Sequence, residues 1–251
     1  MSWLINNQTV NINVPDAVDS TAYQKNVDIF CNFLSNKSLA NKSVLDIGSD
    51  VGTIAFPAVK FGANKVICFE PSSQRYSLLV QSLKDNGYVS GSSPTSYVNG
   101  NQTVDVYNFA SSDSVGVEDF FNTQSQDNGG LLNSFSKPRI SYSAGSTERV
   151  GTINVGDFLK DEYEIVDLNK IKVVCVRTEG LESETLETLK DLILANKADI
   201  LVQLYQDQGQ SLQDFATEVN YDIFDPETGE KIDSLSDFSG YFVSLSPKPV
   251  V

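Results

Sequence analysis

Histidine is absent from the 251 residues of this chain. That absence excludes every nucleophilic, acid–base or metal-centred chemistry that depends on an imidazole, so a general base here has to be Asp, Glu, Lys, Tyr or Cys. Cysteine occurs three times, at Cys31, Cys68 and Cys175. A small odd number, with two members inside apolar runs, reads as reduced thiols in a cytoplasmic protein and not as a disulfide framework. Basic residues are scarce: 18 Lys and Arg stand against 33 Asp and Glu, a formal net charge of −15. With no basic cluster, adhesion to nucleic acid or to anionic lipid is not expected, and the acidity serves solubility. Long apolar runs are missing too. No stretch has the length of a membrane span, and Met1-Ser-Trp-Leu-Ile-Asn-Asn7 has neither the basic flank nor the apolar core of a secretory signal.

Against these absences one stretch stands out, Ser43-Val-Leu-Asp-Ile-Gly-Ser-Asp-Val-Gly52, followed by Lys65-Val-Ile-Cys-Phe-Glu-Pro71. The first is an apolar strand running into a glycine turn, where Gly48 and Gly52 let the chain bend sharply and lie close to a ligand. A helix over Val51 to Phe61 is expected next, its amino end pointing into the gap, with Pro57 delaying or kinking it. Glu70 then closes a second strand. In an open parallel sheet the ligand crevice lies outside the carboxyl ends of the strands, so a carboxylate there is placed to accept hydrogen bonds from both ribose hydroxyls. Asp46-x-Gly48-x-x-x-Gly52 lacks the G-x-G-x-x-G order of a dinucleotide site, so S-adenosylmethionine, which has no pyrophosphate, fits better than NAD.

The remaining pattern alternates strands and helices. An edge strand is read over Thr9 to Val14, and a helix over Ser20 to Leu34 after the start signal Asp19-Ser20-Thr21. Further elements are a helix from Ser73 to Asn86, a strand from Thr103 to Ala110, apolar segments at Val150 to Val155 and Val166 to Leu168, and a buried strand from Ile171 to Val176. A helix from Leu181 to Asn196, a strand from Asp199 to Tyr205, a helix from Leu212 to Val219 and a strand from Gly240 to Leu245 complete the series. This rhythm predicts an α/β fold of Rossmann-like type, with a doubly wound and mostly parallel sheet. Ser111 to Gly151, rich in Ser, Asn, Gly and Asp, shows no sustained period and reads as a loop, either a lid or a mobile surface. The organisation expected is one domain over 1–251: an N-terminal helix and strand extension (1–40), a cofactor half (43–110), a loop insertion (111–150) and an acceptor half (151–251). Trp3, Leu4 and Ile5 form either a strand on the chain's own core or a contact with a second copy.

These segments, over roughly Ser43 to Tyr205, resemble the FkbM family of S-adenosylmethionine-dependent methyltransferases. Three pieces carry the resemblance. Asp46-Ile-Gly48-Ser-Asp50-Val-Gly52 is similar to the family's D-x-G-A-N-x-G, Phe69-Glu70-Pro71 to its F-E-P, and Cys175-Val-Arg177-Thr-Glu179-Gly180-Leu-Glu182 to its K-I-D-x-E-G-x-E. The resemblance implies a class I methyltransferase fold and O-methylation of a sugar or glycan hydroxyl. It also implies a cofactor site of Asp46, Gly48, Asp50, Gly52 and Glu70, with Asn108 to Ala110 lining the adenine.

The chain departs from the family pattern on the acceptor side, where Gly156, Arg177 and Gln203 stand in place of acids. Glu179 is the base that remains at the mouth of the late strand, with Asp157 and Glu182 as further candidates. As a carboxylate at a helix amino end, Glu179 has an equally simple structural role. Arg177 is expected to pair with Glu179 or, with Glu182, to hold the acceptor. A divalent metal is not supported. The acceptor-side departures also motivate a second reading, a catalytically degenerate methyltransferase-fold protein that serves as a binding or assembly module.

Overall fold

The computed structural model of the chain describes residues 1–15, 20–124, 131–134, 147–204 and 208–249. The chain opens with β1 (Ser2–Ile5), β2 (Gln8–Asn11) and α1 (Ser20–Ser35), then β3 (Ser43–Ile47), α2 (Ala55–Lys60), β4 (Lys65–Phe69) and α3 (Ser73–Asp85). Next come β5 (Val89–Ser90), β6 (Ser96–Asn99), β7 (Gln102–Tyr107), β8 (Ala110–Ser111), β9 (Gly116–Gln124), β10 (Leu131–Ser134) and β11 (Thr147–Ile153). The last part holds α4 (Val155–Glu162), α5 (Ile165–Leu168), β12 (Ile171–Val176), α6 (Glu182–Thr188), α7 (Lys190–Asn196) and β13 (Asp199–Gln203). It ends with α8 (Gly209–Glu218), β14 (Tyr221–Phe224), β15 (Lys231–Ile232) and β16 (Phe242–Pro247).

Among the described residues the main sheet has ten strands in the order β15-β14-β16-β13-β12-β3-β4-β7-β6-β5. Its centre, from β13 through β12, β3 and β4 to β7, is parallel. These strands are apolar at nearly every position because helices cover both faces. Val44, Cys68 and Cys175 pack with Phe30, Phe56 and Leu79 of α1, α2 and α3. Leu45, Ile67 and Val174, one residue along, face Leu159, Leu186, Ile193 and Phe215 on the opposite layer. The chain starts at β3, moves outward through β4 to β7, and returns to β12 on the other side of β3. The crevice between β3 and β12 is therefore the switch point at which such sheets receive ligands. The fold is α/β, doubly wound and mostly parallel, as expected.

Several elements differ from the sequence reading. The N-terminal strand is not an edge of the main sheet but a separate hairpin, β1 with β2. Asn6 and Asn7 both adopt positive φ, 48° and 59°, which is what a two-residue hairpin turn requires. Trp3 and Ile5 point into the chain's own core, Trp3 stacking on Tyr23, while Leu4 stays exposed. The predicted start signal of α1 at Asp19 lies outside the described residues, as does Tyr205 at the predicted end of β13. The predicted loop over Ser111 to Gly151 holds β9, β10 and most of β11, which form a second sheet in the order β10-β9-β11-β8. Residues 125–130 and 135–146 of that stretch are outside the described residues. Composition concealed these strands because one turn of core suffices for them: Phe120, Val150 and Ala110 cluster, while Val115 and Val117 face solvent. The helix expected from Leu181 to Asn196 is two helices, broken where buried Leu189 leaves helical geometry at φ −104°, ψ 0°. The apolar Val166 to Leu168 segment belongs to the single helical turn α5.

At the opposite end of the sheet from the crevice, Asp199 joins three elements. It meets Lys37 beyond α1 at 2.9 Å, Lys172 of β12 at 3.2 Å and the Ser246 hydroxyl of β16 at 2.6 Å. Burial alone would raise its carboxyl, but the hydroxyl and the two ammonium groups hold it below the usual value. A carboxylate lowered in the folded state stabilises above its unfolded pKa, and the benefit is lost as pH falls through the folded value. Asp199→Asn is expected to lower the unfolding free energy by about 1–3 kcal/mol at pH 7. The difference from wild type should shrink below about pH 4, which urea midpoints measured at pH 7 and pH 3 check.

Candidate functional site

The crevice is built from the turn that follows β3. The Gly48 and Ser49 amides both donate to the Phe69 carbonyl at 2.9 Å, and the Arg177 amide donates to the Ile47 carbonyl at 2.9 Å. The turn is thus sewn to β4 on one side and to the end of β12 on the other. Gly48 has φ +82°, and a Cβ there would collide with the Arg177 carbonyl, so the strand ends approach as closely as backbone permits. Gly52 lies against Phe56 and Leu79 where the turn leads into α2.

Charged groups are buried around this turn. The Glu70 carboxylate accepts from the Asp50 amide at 2.7 Å and the Ser72 amide at 2.9 Å. Burial nonetheless pushes its carboxyl up to about 7, against the moderating Arg75 charge. Asp50 takes φ +54°, and its carboxylate meets the Arg75 guanidinium at 2.9 Å and the Tyr23 hydroxyl at 3.1 Å. The Asp50 side chain therefore does not present an uncompensated charge to a ligand. The Asn108 amide donates to the carbonyls of Glu70 and Pro71 at 2.8 and 2.9 Å, bracing the loop that carries Glu70. Ala110 is buried in the second sheet with Phe120 and Val150.

Asp46 is fully buried, which raises its carboxyl to about 6, with Arg177 pulling in the opposite direction. The Arg177 guanidinium lies 3.7 Å from Asp46, donates to the Thr53 hydroxyl at 2.7 Å, and sits 5.2 Å from the centre of the Phe30 ring. At 3.7 Å the Asp46 contact is an attraction between charges and not a hydrogen bond. Both Asp46 carboxylate oxygens, together with Nε and Nη2 of Arg177, have no hydrogen-bond partner among the described residues. Buried polar atoms left this way are costly unless a ligand or water meets them.

Other predicted residues fall in different surroundings. Arg177 turns toward Asp46, 3.7 Å away, since alternation continued past β12 places it on the same face as Cys175 and α1. Glu179 adopts φ +53° just before α6, and its charge acts on Arg75. Glu182 is fully buried and folds back on the Gly180 amide, at 2.9 Å, and burial raises its carboxyl to about 7. Asp157 lies on the exposed face of α4, paired with Lys160 at 3.5 Å. Gly156 has no room for a side chain, since a Cβ would run into the Thr188 carbonyl at the end of α6. Gln203 donates to the Tyr241 hydroxyl.

Sequence reasoning missed Tyr23, Phe30, Thr53 and Arg75. Arg75 did carry a signal: a basic side chain in the first turn of a helix opposes the helix dipole and calls for a nearby acid.

No protein-family profile and no curated protein matches the sequence. Among solved structures, the chain is similar to precorrin-6y C5,15-methyltransferase from Geobacter metallireducens GS-15, with a TM-score of 0.53 and 9% identity over 95% of each chain. It is also similar to methyltransferase FkbM from Methylobacillus flagellatus KT, with a TM-score of 0.50 and 11% identity. That match covers 92% of this chain but 56% of the other, so this chain spans little more than half of that protein. At such identities the likeness establishes architecture and no more. The chain has the α/β Rossmann-like fold of class I methyltransferases.

Proposed function

We propose that this protein is an S-adenosylmethionine-dependent O-methyltransferase acting on a hydroxyl of a small sugar-like or glycan acceptor. The observation that carries the reading is the pair of buried carboxylates at the switch point, Asp46 with both oxygens unpartnered and Glu70 with lone pairs remaining beyond its two backbone donors. Their chemistry fits the cofactor. Glu70 would hold the ribose hydroxyls, Asp46 the ammonium of the amino-acid tail and Arg177 its carboxylate. When bound, the cofactor supplies an activated methyl group on a sulfonium.

The chain's own residues then have to position the acceptor and take its proton. Thr178 Oγ1, Ser183 Oγ and Gln208 Oε1 are buried without hydrogen-bond partners among the described residues. Neutral hydroxyl and amide groups of this kind suit an acceptor rich in hydroxyls. Glu179, next to Thr178, is the carboxylate we assign as base, since Asp157 is turned to solvent and Glu182 is spent on the loop. The three cysteines are free thiols, in keeping with a reducing cytoplasmic setting. The alternative, a degenerate binding module, is favoured by one observation, the Arg177 cation beside Asp46.

Isothermal titration with S-adenosylmethionine decides the cofactor reading: a saturable isotherm is expected, and no heat at millimolar ligand refutes it. Hydrogen bonds from ribose favour ionised Glu70, whose carboxyl is raised to about 7 in the free protein. Binding should therefore release protons near neutral pH, and affinity should rise between pH 6 and 8 before levelling. Glu70→Gln is expected to weaken binding about 10- to 100-fold and to flatten that pH dependence. Glu179→Gln should lower kcat by about 10²- to 10⁴-fold on a responsive sugar while the cofactor still binds. An unaltered kcat would remove Glu179 from the role of base.

A further inference from the structure

We infer that Tyr23 is a positioning residue for the Glu70 carboxylate, acting through Asp50, and that it couples the N-terminal hairpin to ligand affinity in the crevice. The inference rests on the cofactor reading above, in which Glu70 meets the ribose, and extends it to a part of the chain outside the cofactor motif.

Two amides of different origin hold Glu70. The Ser72 amide, 2.9 Å away, belongs to the same loop and travels with Glu70, whereas the Asp50 amide, at 2.7 Å, comes from the turn after β3. Asp50 therefore fixes where Glu70 sits relative to β3. Its amide has that direction because the residue adopts φ +54°, a left-handed conformation in which a side chain crowds the backbone. An aspartate commonly offsets that cost by bonding to its own neighbours. Here the carboxylate instead reaches two other elements, with Arg75 Nη1 of α3 at 2.9 Å and the Tyr23 hydroxyl of α1 at 3.1 Å, both on the same oxygen.

These two anchors differ in kind. Arg75 lies in the first turn of α3, just after the loop that carries Glu70, and so moves with the strand end it would steady. Tyr23 lies 27 positions before Asp50, on an element independent of both strand ends. It is also a constant donor. The phenol is buried, and burial together with the Asp50 charge pushes its ionisation well above the ordinary tyrosine value, while Arg75 and Arg177 pull the other way without reversing the shift. The hydroxyl keeps its proton, and with it the hydrogen bond to Asp50, through the neutral range.

The place of Tyr23 depends in turn on the hairpin. The Trp3 ring stacks on it with 6.2 Å between centroids and 23° between planes. Asn6 donates to the Lys60 carbonyl at the end of α2 at 2.9 Å, and the Asn11 and Asn13 amides donate to the side chains of Asn86 and Ser82, at and near the end of α3, at 3.0 and 2.8 Å. Docking of the hairpin is thereby carried to Glu70 through Trp3, Tyr23 and Asp50. Such coupling is reciprocal, so a ligand seated on Glu70 steadies the hairpin by the factor that the docked hairpin adds to affinity.

The test measures S-adenosylmethionine affinity by titration calorimetry at pH 7.5 for the wild type, Tyr23→Phe, Glu70→Ala and the double variant. Tyr23→Phe, which keeps the ring and its stacking on Trp3, is expected to weaken binding about three- to tenfold. In the Glu70→Ala background the same change should weaken it by less than about twofold, because the group it acts through is gone. Hydrogen exchange is the second measurement. Saturating ligand should slow the β1 and β2 amides by about threefold or more in the wild type, and by less than about twofold in Tyr23→Phe. Unchanged affinity in Tyr23→Phe, an equal loss in both backgrounds, or a wild-type hairpin whose exchange the ligand does not slow overturns the inference while the cofactor reading stands. If the wild type does not bind S-adenosylmethionine, both fall.

Discussion

The ion pair between Asp50 and Arg75 holds three layers of the structure at one point. Asp50 belongs to the turn after β3, Arg75 to the first turn of α3, and Tyr23, which donates to the same carboxylate, to α1. The Asp50 amide meanwhile donates to Glu70, so the ends of β3 and β4 are locked to the same residue. None of these groups has ready access to water. Removing one partner of such a pair costs about 3–5 kcal/mol, because the other is left charged and buried. The crevice therefore has its shape before any ligand arrives, and charge compensation is part of what holds it.

The centre of the fold was readable because a strand covered on both faces is apolar throughout. Val44, Leu45, Val173 and Val174 need no long-range information to be recognised. The second sheet was not readable, for the converse reason: β9 buries Phe120 while its described neighbours from Gly116 to Asp119 stay exposed, so no period of two emerges. The edges added further difficulty, since β5, β6, β14 and β15 are too short for a period of two to show. At the site, Asp46, Gly48, Gly52 and Glu70 were legible as a local pattern of turn and strand end. Their partners were not. Tyr23 lies 27 positions from Asp50, and Thr53 lies 124 from Arg177. No spacing rule reaches across such intervals, and the loops between them hide which side chains will meet.

The N-terminal segment has more to do with the site than its position suggests. Tyr23 and Phe30 lie on one side of α1, about two turns apart, and each meets a different charged centre, Asp50 with Arg75 in one case and Arg177 in the other. Trp3 of the hairpin stacks on Tyr23, and Lys37 beyond the helix is tied to Asp199. The helix is thus held at both ends, and it roofs the charged cluster that the parallel strands create.

Gly156 constrains the second half of the chain through its backbone. The backbone of α4 rests directly on the Thr188 carbonyl at the end of α6, with no space between them for even a methyl group. A designer wishing to install a carboxylate there would first have to re-space two helices, shifting Leu159 and Leu186 out of the core beneath them. Helix separation, not side-chain identity, is the variable that such redesign would have to change.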